Sequence, residues 1–318
     1  MVQFVKTILL LTVLLFVSAC TQTETVEQID DGTTEKKERD HHDVDIQEET
    51  LLTVEDILTR SLTEFQSIES LSSNKKVVQD IQLPNEDPLS TTTSLYAEMT
   101  QTPLTMYQKR VSTIPTMGDF VTDIYLVDEG VYFKDGLEDG WFTYPEDVAE
   151  ELIAYEETTA RPQEQQLELM SKYTDQLTYE ETETHYVISF MGTSDVLTAF
   201  SLELNHLMLD ELANELEEFM MMADINKLEY TVFIEKETFL QTEWNMSLQL
   251  ELPLEEESIT REINASEHLD HFNEITEIIV PLEVIQNAKE FNLHLSEFEE
   301  LKQFDISHTH NDDPLTFY

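Results

Sequence analysis

The chain's candidate chemistry starts with imidazoles and carboxylates. Glu267-His268-Leu269-Asp270-His271 sets two imidazoles three positions apart, with Glu274 close behind. On a helix such a pair shares one face and could hold zinc. Residues 266–272 fall between two expected strands, however, and an exposed turn is the preferred reading. His308, His310, Asp312 and Asp313 form a similar cluster near the C-terminus, and His41 and His42 stand beside Asp43 and Asp45. Metal sites need ligands held at fixed geometry, and terminal segments fray. These clusters read as solvated chain, and no metal or cofactor is expected. Motifs for nucleophilic or metal-assisted hydrolysis are missing: there is no G-x-S-x-G elbow, no H-E-x-x-H, and only 1 Cys. With 67 Asp+Glu, carboxylate pairs occur at every spacing by chance, so a glycosidase pair cannot be argued. The 6 Gly, none beyond Gly192, leave no glycine-rich phosphate loop. A non-enzymatic protein is expected.

The apolar side chains are more informative. Met220-Met221-Met222 follows a helical stripe ending in Phe219, and methionine adapts to irregular apolar ligands. Tyr230 and Val232 share one phase of a strand, as do Trp244, Met246 and Leu248 in the next. Phe219, Met220, Tyr230, Val232, Trp244, Met246 and Leu248 are therefore the candidate cavity-lining set. Core filling beneath a curved sheet accounts for the same residues, and sequence does not separate the two.

The elements that would position them follow from periodicity. Val54, Ile57, Leu58, Leu62, Phe65 and Ile68 recur at helical spacing within 53–71, with Thr53 and Asp56 as a capping box. The period then changes to strands over 75–83, 90–100, 104–113, 120–127 and 131–134, with 131–144 as a hairpin. Helices are expected over 145–155, 163–172 and, in two pieces, 194–222. Strands are expected at 185–191, 228–235, 240–252, 259–263 and 274–280, before a last helix over 282–289. In 240–252 Leu240, Trp244, Met246, Leu248, Leu250 and Leu252 share one face, and Gln241, Glu243, Asn245, Gln249 and Glu251 the other. That is a strand with one buried and one wet face. Sequential strands joined by short turns favour a meander. The expected class is α+β: a curved antiparallel sheet whose apolar face the helices cover, in one domain.

Charge restricts the partners. Against 67 Asp+Glu stand 17 Lys+Arg, a formal net charge of −50, which excludes nucleic acid as a partner. The acidity suits a salty or alkaline exterior, because screening relieves self-repulsion. It also disfavours docking on anionic headgroups.

The N-terminus gives an address. Lys6 precedes an apolar run over 8–17, about ten residues where a membrane-spanning helix needs about 20. It reads as an export signal. Ser18 and Ala19 directly before Cys20 resemble the bacterial lipoprotein box. In that class the cysteine is thioether-linked to diacylglycerol and begins the mature chain, and more than one acyl chain makes anchoring stable. The expected divisions are a signal peptide over 1–19, lipidated Cys20 with a flexible acidic tether over 20–52, a domain over 53–291 and an acidic tail over 292–318. The tether's reach is roughly 30 Å. The expected localisation is the outer face of the cell membrane.

Several segments together carry a resemblance. They are the lipoprotein box, the helix at 54–68, and the run Ile124-Tyr125-Leu126-Val127-Asp128-Glu129-Gly130-Val131-Tyr132-Phe133-Lys134 with Gly140-Trp141. To these add 227–239, beginning Lys227-Leu228-Glu229-Tyr230, and 274–288. The chain resembles a family of uncharacterised Gram-positive surface lipoproteins (a domain of unknown function), similar in turn to the LolA/LppX/RseB group. The resemblance implies a half-open antiparallel barrel around helices on its concave side. Some members of the wider group carry lipid or acyl chains, and others sense envelope components. The expectations are a lipid or acyl ligand in the half-barrel or, alternatively, a closed core serving as a sensor or scaffold for an envelope protein.

Overall fold

A computed structural model describes residues 52–291 apart from 116, 137–139, 160–161, 192–193, 210–222 and 254–256. Cys20, the signal and tether segments, Phe219, Met220 and the tail lie outside the described residues, as do the histidine clusters at 41–42 and 308–310.

The first helix, α1 (Val54–Phe65), starts at the expected capping box. The Asp56 amide donates to Thr53 Oγ1 at 3.1 Å and the Thr53 amide donates to Asp56 Oδ2 at 3.0 Å. Ile57, Leu58, Ser61 and Phe65 form its buried face. The helix ends earlier than residue 71, in a serine-rich stretch. Ser67 Oγ donates to the Glu64 carbonyl at 2.7 Å, and such local bonds compete with helix continuation.

Strands β1 (Ser70–Gln82), β2 (Leu89–Gln101), β3 (Leu104–Ile114), β4 (Gly118–Val127), β5 (Gly130–Lys134) and β6 (Phe142–Thr143) follow, each antiparallel to the one before. A second meander comprises β7 (Leu177–Glu181), β8 (His185–Phe190), β9 (Asp224–Glu235), β10 (Gln241–Pro253) and β11 (Ser258–Asp270). Antiparallel pairing of β1 with β11 joins the two. With a last short strand, β12 (Lys289–Glu290), the result is a single 12-stranded sheet in the order β12-β6-β5-β4-β3-β2-β1-β11-β10-β9-β8-β7. β12 and β7 are its two edges, so the curved sheet is a half-barrel rather than a closed one. The fold class is α+β, as the periodicity implies.

Helices α2 (Glu146–Thr159), α3 (Pro162–Lys172) and α4 (Ser194–Leu209) pack on the concave side, and α5 (Leu282–Asn287) follows β11. The main core joins α1, α3 and α4 to β8–β11 through Leu58, Leu167, Met170, Phe200, Val232 and Trp244, among others. Phe190 and Phe200 stack with centroids 3.9 Å apart. A second, small cluster places Ala149 of α2 against Leu104, Leu126 and Val131.

Four expectations are corrected. Residues 266–270 are not a turn but the end of β11, whose in–out alternation continues through buried Glu267 and Leu269. Residues 274–280 are not a strand. Ile278 and Val280 are buried and Ile279 is 69% exposed, so the alternation is real, but no ladder partner lies beside it. The segment instead crosses the outer face, where Val280 and Val284 pack on Val127, Tyr125, Tyr132 and Trp141. β12 (Lys289–Glu290) then pairs in parallel with β6. Gln241, assigned to the wet face, is fully buried. A register shift between Gln241 and Glu243 reverses the phase of the strand there. Finally, β7 and β12 join the sheet where no strand was expected, and the expected meander runs in two halves joined by β1 and β11.

Candidate functional site

Strand pairing fixes which side chains share the inner face. One row runs across seven strands: Val232, Trp244, Glu267, Lys75, Leu95, Arg110 and Thr122. The next row holds Tyr230, Met246, Ala265, Val77 and Thr93. On the other side of the first lie Leu269, Ser73, Ala97, Gln108 and Ile124.

The helices cover this face unevenly. At the centre of β9 and β10 it is sealed: Val232 and Trp244 are 0% exposed, and Tyr230, Leu248 and Met246 stay below a tenth, while Arg261 and Ile263 at one end of β11 are half-buried. Five of the seven cavity-lining candidates therefore share one contiguous patch beneath α3 and α4, and the remaining two, Phe219 and Met220, lie outside the described residues. Over β1–β4 the same face is half-buried. Leu95, Ala97, Met99, Met106 and Ile124 all retain exposure, in a strip between the two helix-covered clusters.

Charge enters this face at points that sequence reading missed. The Trp244 indole N–H donates to Glu267 Oε2 at 2.6 Å, giving a buried carboxylate one strong partner. The Lys75 ammonium stands 5.2 Å from the Trp244 ring centroid. Burial lowers the Lys75 pKa; the Glu267 charge opposes that shift and the Arg110 charge adds to it. Arg110 is likewise lowered by burial. At the far end of the face the Arg261 Nη2 donates to Gln79 Oε1 at 2.7 Å, and burial brings its pKa down to about 10. Burial, then the nearby Glu267 charge, raises the Tyr230 phenol, which donates to Gln166 Oε1 at 3.0 Å. The available signal was phase: Lys75 shares the inward phase of its strand with Val77 and Ile81, and Arg261 shares that of its strand with Ile259 and Ile263.

The histidine segment separates. Glu267 faces inward, His268 is exposed on the opposite face, and His271 lies in the turn beyond β11. Ser72, Asp270 and His271 do meet. Asp270 Oδ1 accepts from Ser72 Oγ, and His271 Nδ1 lies 2.8 Å from Asp270 and 3.0 Å from Ser72. Both contacts use the same imidazole nitrogen, so it cannot relay a proton from serine through one nitrogen while the carboxylate orients the other. Burial raises the Asp270 pKa, but the bonds from Ser72 and His271 outweigh it and hold the group low. Among the described residues no group of three or more His, Cys, Asp or Glu is placed to hold a metal ion. No helix among them is long and apolar enough to cross a membrane.

Two further concavities lie elsewhere. A groove of about 400 Å³ on the outer face is lined by Lys76, Thr231, Asn245, Ser247, Asn264 and Ser266, among others. A cleft of about 650 Å³ lies where residues 273–278 cross Ser70, Thr100, Thr105 and Val127.

Residues 53–289 match the profile of a family of unknown function, DUF6612. No curated protein matches the sequence. Among solved structures, a LolA superfamily protein from Nitrosomonas europaea is similar over 71% of this chain and 98% of its own, at 8% identity and TM-score 0.21. A DUF1329 family protein from Desulfovibrio piger covers 68% of this chain and 90% of its own, at 8% identity and TM-score 0.21. A β-barrel-like DUF1849 protein from Brucella abortus covers 64% and 99%, at 5% identity and TM-score 0.21.

Proposed function

The chain belongs to the DUF6612 family, and we propose that it is a non-enzymatic lipoprotein whose half-barrel binds a lipid or acyl chain. In this reading Cys20 carries the lipid anchor, and the acidic tether holds the domain off the outer face of the cell membrane. One observation carries the ligand reading. The apolar inner face is sealed at the centre of β9 and β10 but only half-buried at Leu95, Ala97, Met99, Met106 and Ile124. Partly exposed apolar surface on a concave face is where a chain-like apolar ligand gains most by leaving water. The experiment is organic extraction of the chain purified without leader and anchor, followed by mass spectrometry. A lipid in stoichiometric amount is the expected result; a clean extract with no thermal shift on adding lipids refutes the ligand. Incorporation of labelled palmitate that Cys20→Ser abolishes is the matching result for the anchor.

The sealed half favours a second reading. Trp244, Tyr230 and Val232 are buried under helices as core residues are. A domain closed throughout would serve as a sensor or scaffold for another envelope protein. A clean lipid extract together with a partner cross-linked at the outer-face groove would select it.

A further inference from the structure

The ligand proposed above has a chain; the structure also points to its head. Arg261 alternates inward on β11 with Ile259, Ile263 and Ala265, and is paired across the sheet with Ile81 and Leu250. Arg261 is half-buried there, and each of its five donors that leaves water needs an acceptor. Its Nη2 reaches only a neutral amide, that of Gln79, and its Nε is shut off from solvent with no acceptor at all. No carboxylate among the described residues forms an ion pair with it, although the chain has 67 Asp+Glu to draw on. Lys75, by contrast, has Glu267 opposite it in register. Arg261 stands six positions from Glu267 along β11, roughly 20 Å at strand rise. It therefore marks one end of the inner face, with Ile263 and Ala265 leading from it toward the half-exposed strip.

We infer that Arg261, oriented by Gln79, is the subsite for the anionic head of that ligand, a carboxylate or phosphate whose acyl chain lies along the inner face. The assignment rests on the lipid-binding reading and narrows it to anionic lipids. It explains why a domain whose overall charge repels anions keeps an uncompensated cation on its concave side. A planar guanidinium also suits a two-oxygen head better than an ammonium.

The test is photo-cross-linking of the full chain in its membrane, with a diazirine-bearing fatty acid and the matching fatty alcohol. The expected result is labelling of inner-face peptides by the acid, with Arg261→Met reducing acid labelling about tenfold, the scale of a charge-assisted bond. Alcohol labelling should be unchanged in that variant, and Arg261→Lys should keep part of the preference. The thermal midpoint without ligand should hold or rise in Arg261→Met, because a half-buried charge with an unpaired Nε is removed. Equal acid labelling of wild type and Arg261→Met overturns the assignment while leaving a lipid ligand in place. Loss of both probes alike overturns it in favour of a purely structural role. No inner-face labelling by either probe refutes the lipid reading itself, and this one with it. Displacement of the acid by excess inorganic phosphate overturns the lipid source in favour of a free anion.

Discussion

Gln241 sets the sharpest test of the packing. The register shift beside it turns a side chain that alternation puts in water into the core, where it is fully buried. Neither its amide oxygen nor its amide nitrogen has a hydrogen-bond partner. Both polar atoms are therefore dehydrated without compensation, and replacing such a group by an apolar one of similar shape recovers its desolvation cost. Gln241→Met is expected to stabilise the domain by about 1–3 kcal/mol. Urea unfolding monitored by tryptophan fluorescence reads the change, and a lower midpoint would mean that the amide is satisfied after all. The same residue shows why charge and polarity inside the sheet are hard to read from sequence. Gln241 and Arg261 are typical of wet strand faces: the register shift places Gln241 inside, and the one sign for Arg261 is its shared phase with Ile259 and Ile263. In a chain with 26% charged residues, an inward Lys75 or Arg261 looks like one more solvated side chain.

At the scale of elements, legibility followed partner number and contrast. β10 was readable because apolar Trp244, Met246, Leu248 and Leu250 alternate with polar neighbours, and it is paired on both sides. The capping box of α1 was readable because it is local. β7 was missed because Leu177-Thr178-Tyr179-Glu180-Glu181 is an edge strand with only two apolar positions. The five described cavity candidates were legible as one face, but whether helices seal that face depends on α3 and α4, which periodicity does not place. The crossing segment is the instructive error, since alternation without a ladder partner makes a strap rather than a strand. Its grip is Val280 and Val284 on an aromatic patch, where Tyr125 and Trp141 lie 5.6 Å apart. Val284→Asp puts an unpaired carboxylate there and should free the strap. Hydrogen exchange is expected to speed at the bonds from the Lys289 amide to the Trp141 carbonyl and from the Phe291 amide to the Thr143 carbonyl. Protection across β9 and β10 should be unchanged. Uniform loss over the sheet would instead make the strap part of one cooperative unit.

For the whole molecule, the balance of shifted groups says which side of neutrality is fragile. Phenols are held protonated at several places: Tyr96 at about 12, chiefly by its bond to Glu98, and Tyr173 at about 12, chiefly by burial and then by Glu203. Tyr107 is raised by burial and by its bond to Asp123, and Tyr230 by burial and the Glu267 charge. A phenol whose folded pKa exceeds the unfolded value, about 10, adds stability that is complete below pH 10 and lost as pH rises through the folded value. Four such groups act in the same direction, so stability should stay level into mild alkali and fall steeply from about pH 10. Added salt should raise the whole curve by screening the net charge of −50. These expectations accord with an alkaline or salty exterior, provided the alkalinity stays short of the phenol range. The check is a pH titration following tyrosinate absorbance and sheet circular dichroism together. The shifted phenols should ionise only as the sheet signal collapses, and Tyr107→Phe should move that collapse to higher pH. Ionisation of every tyrosine near the unperturbed value, with the sheet intact, would remove the phenols as the alkaline limit.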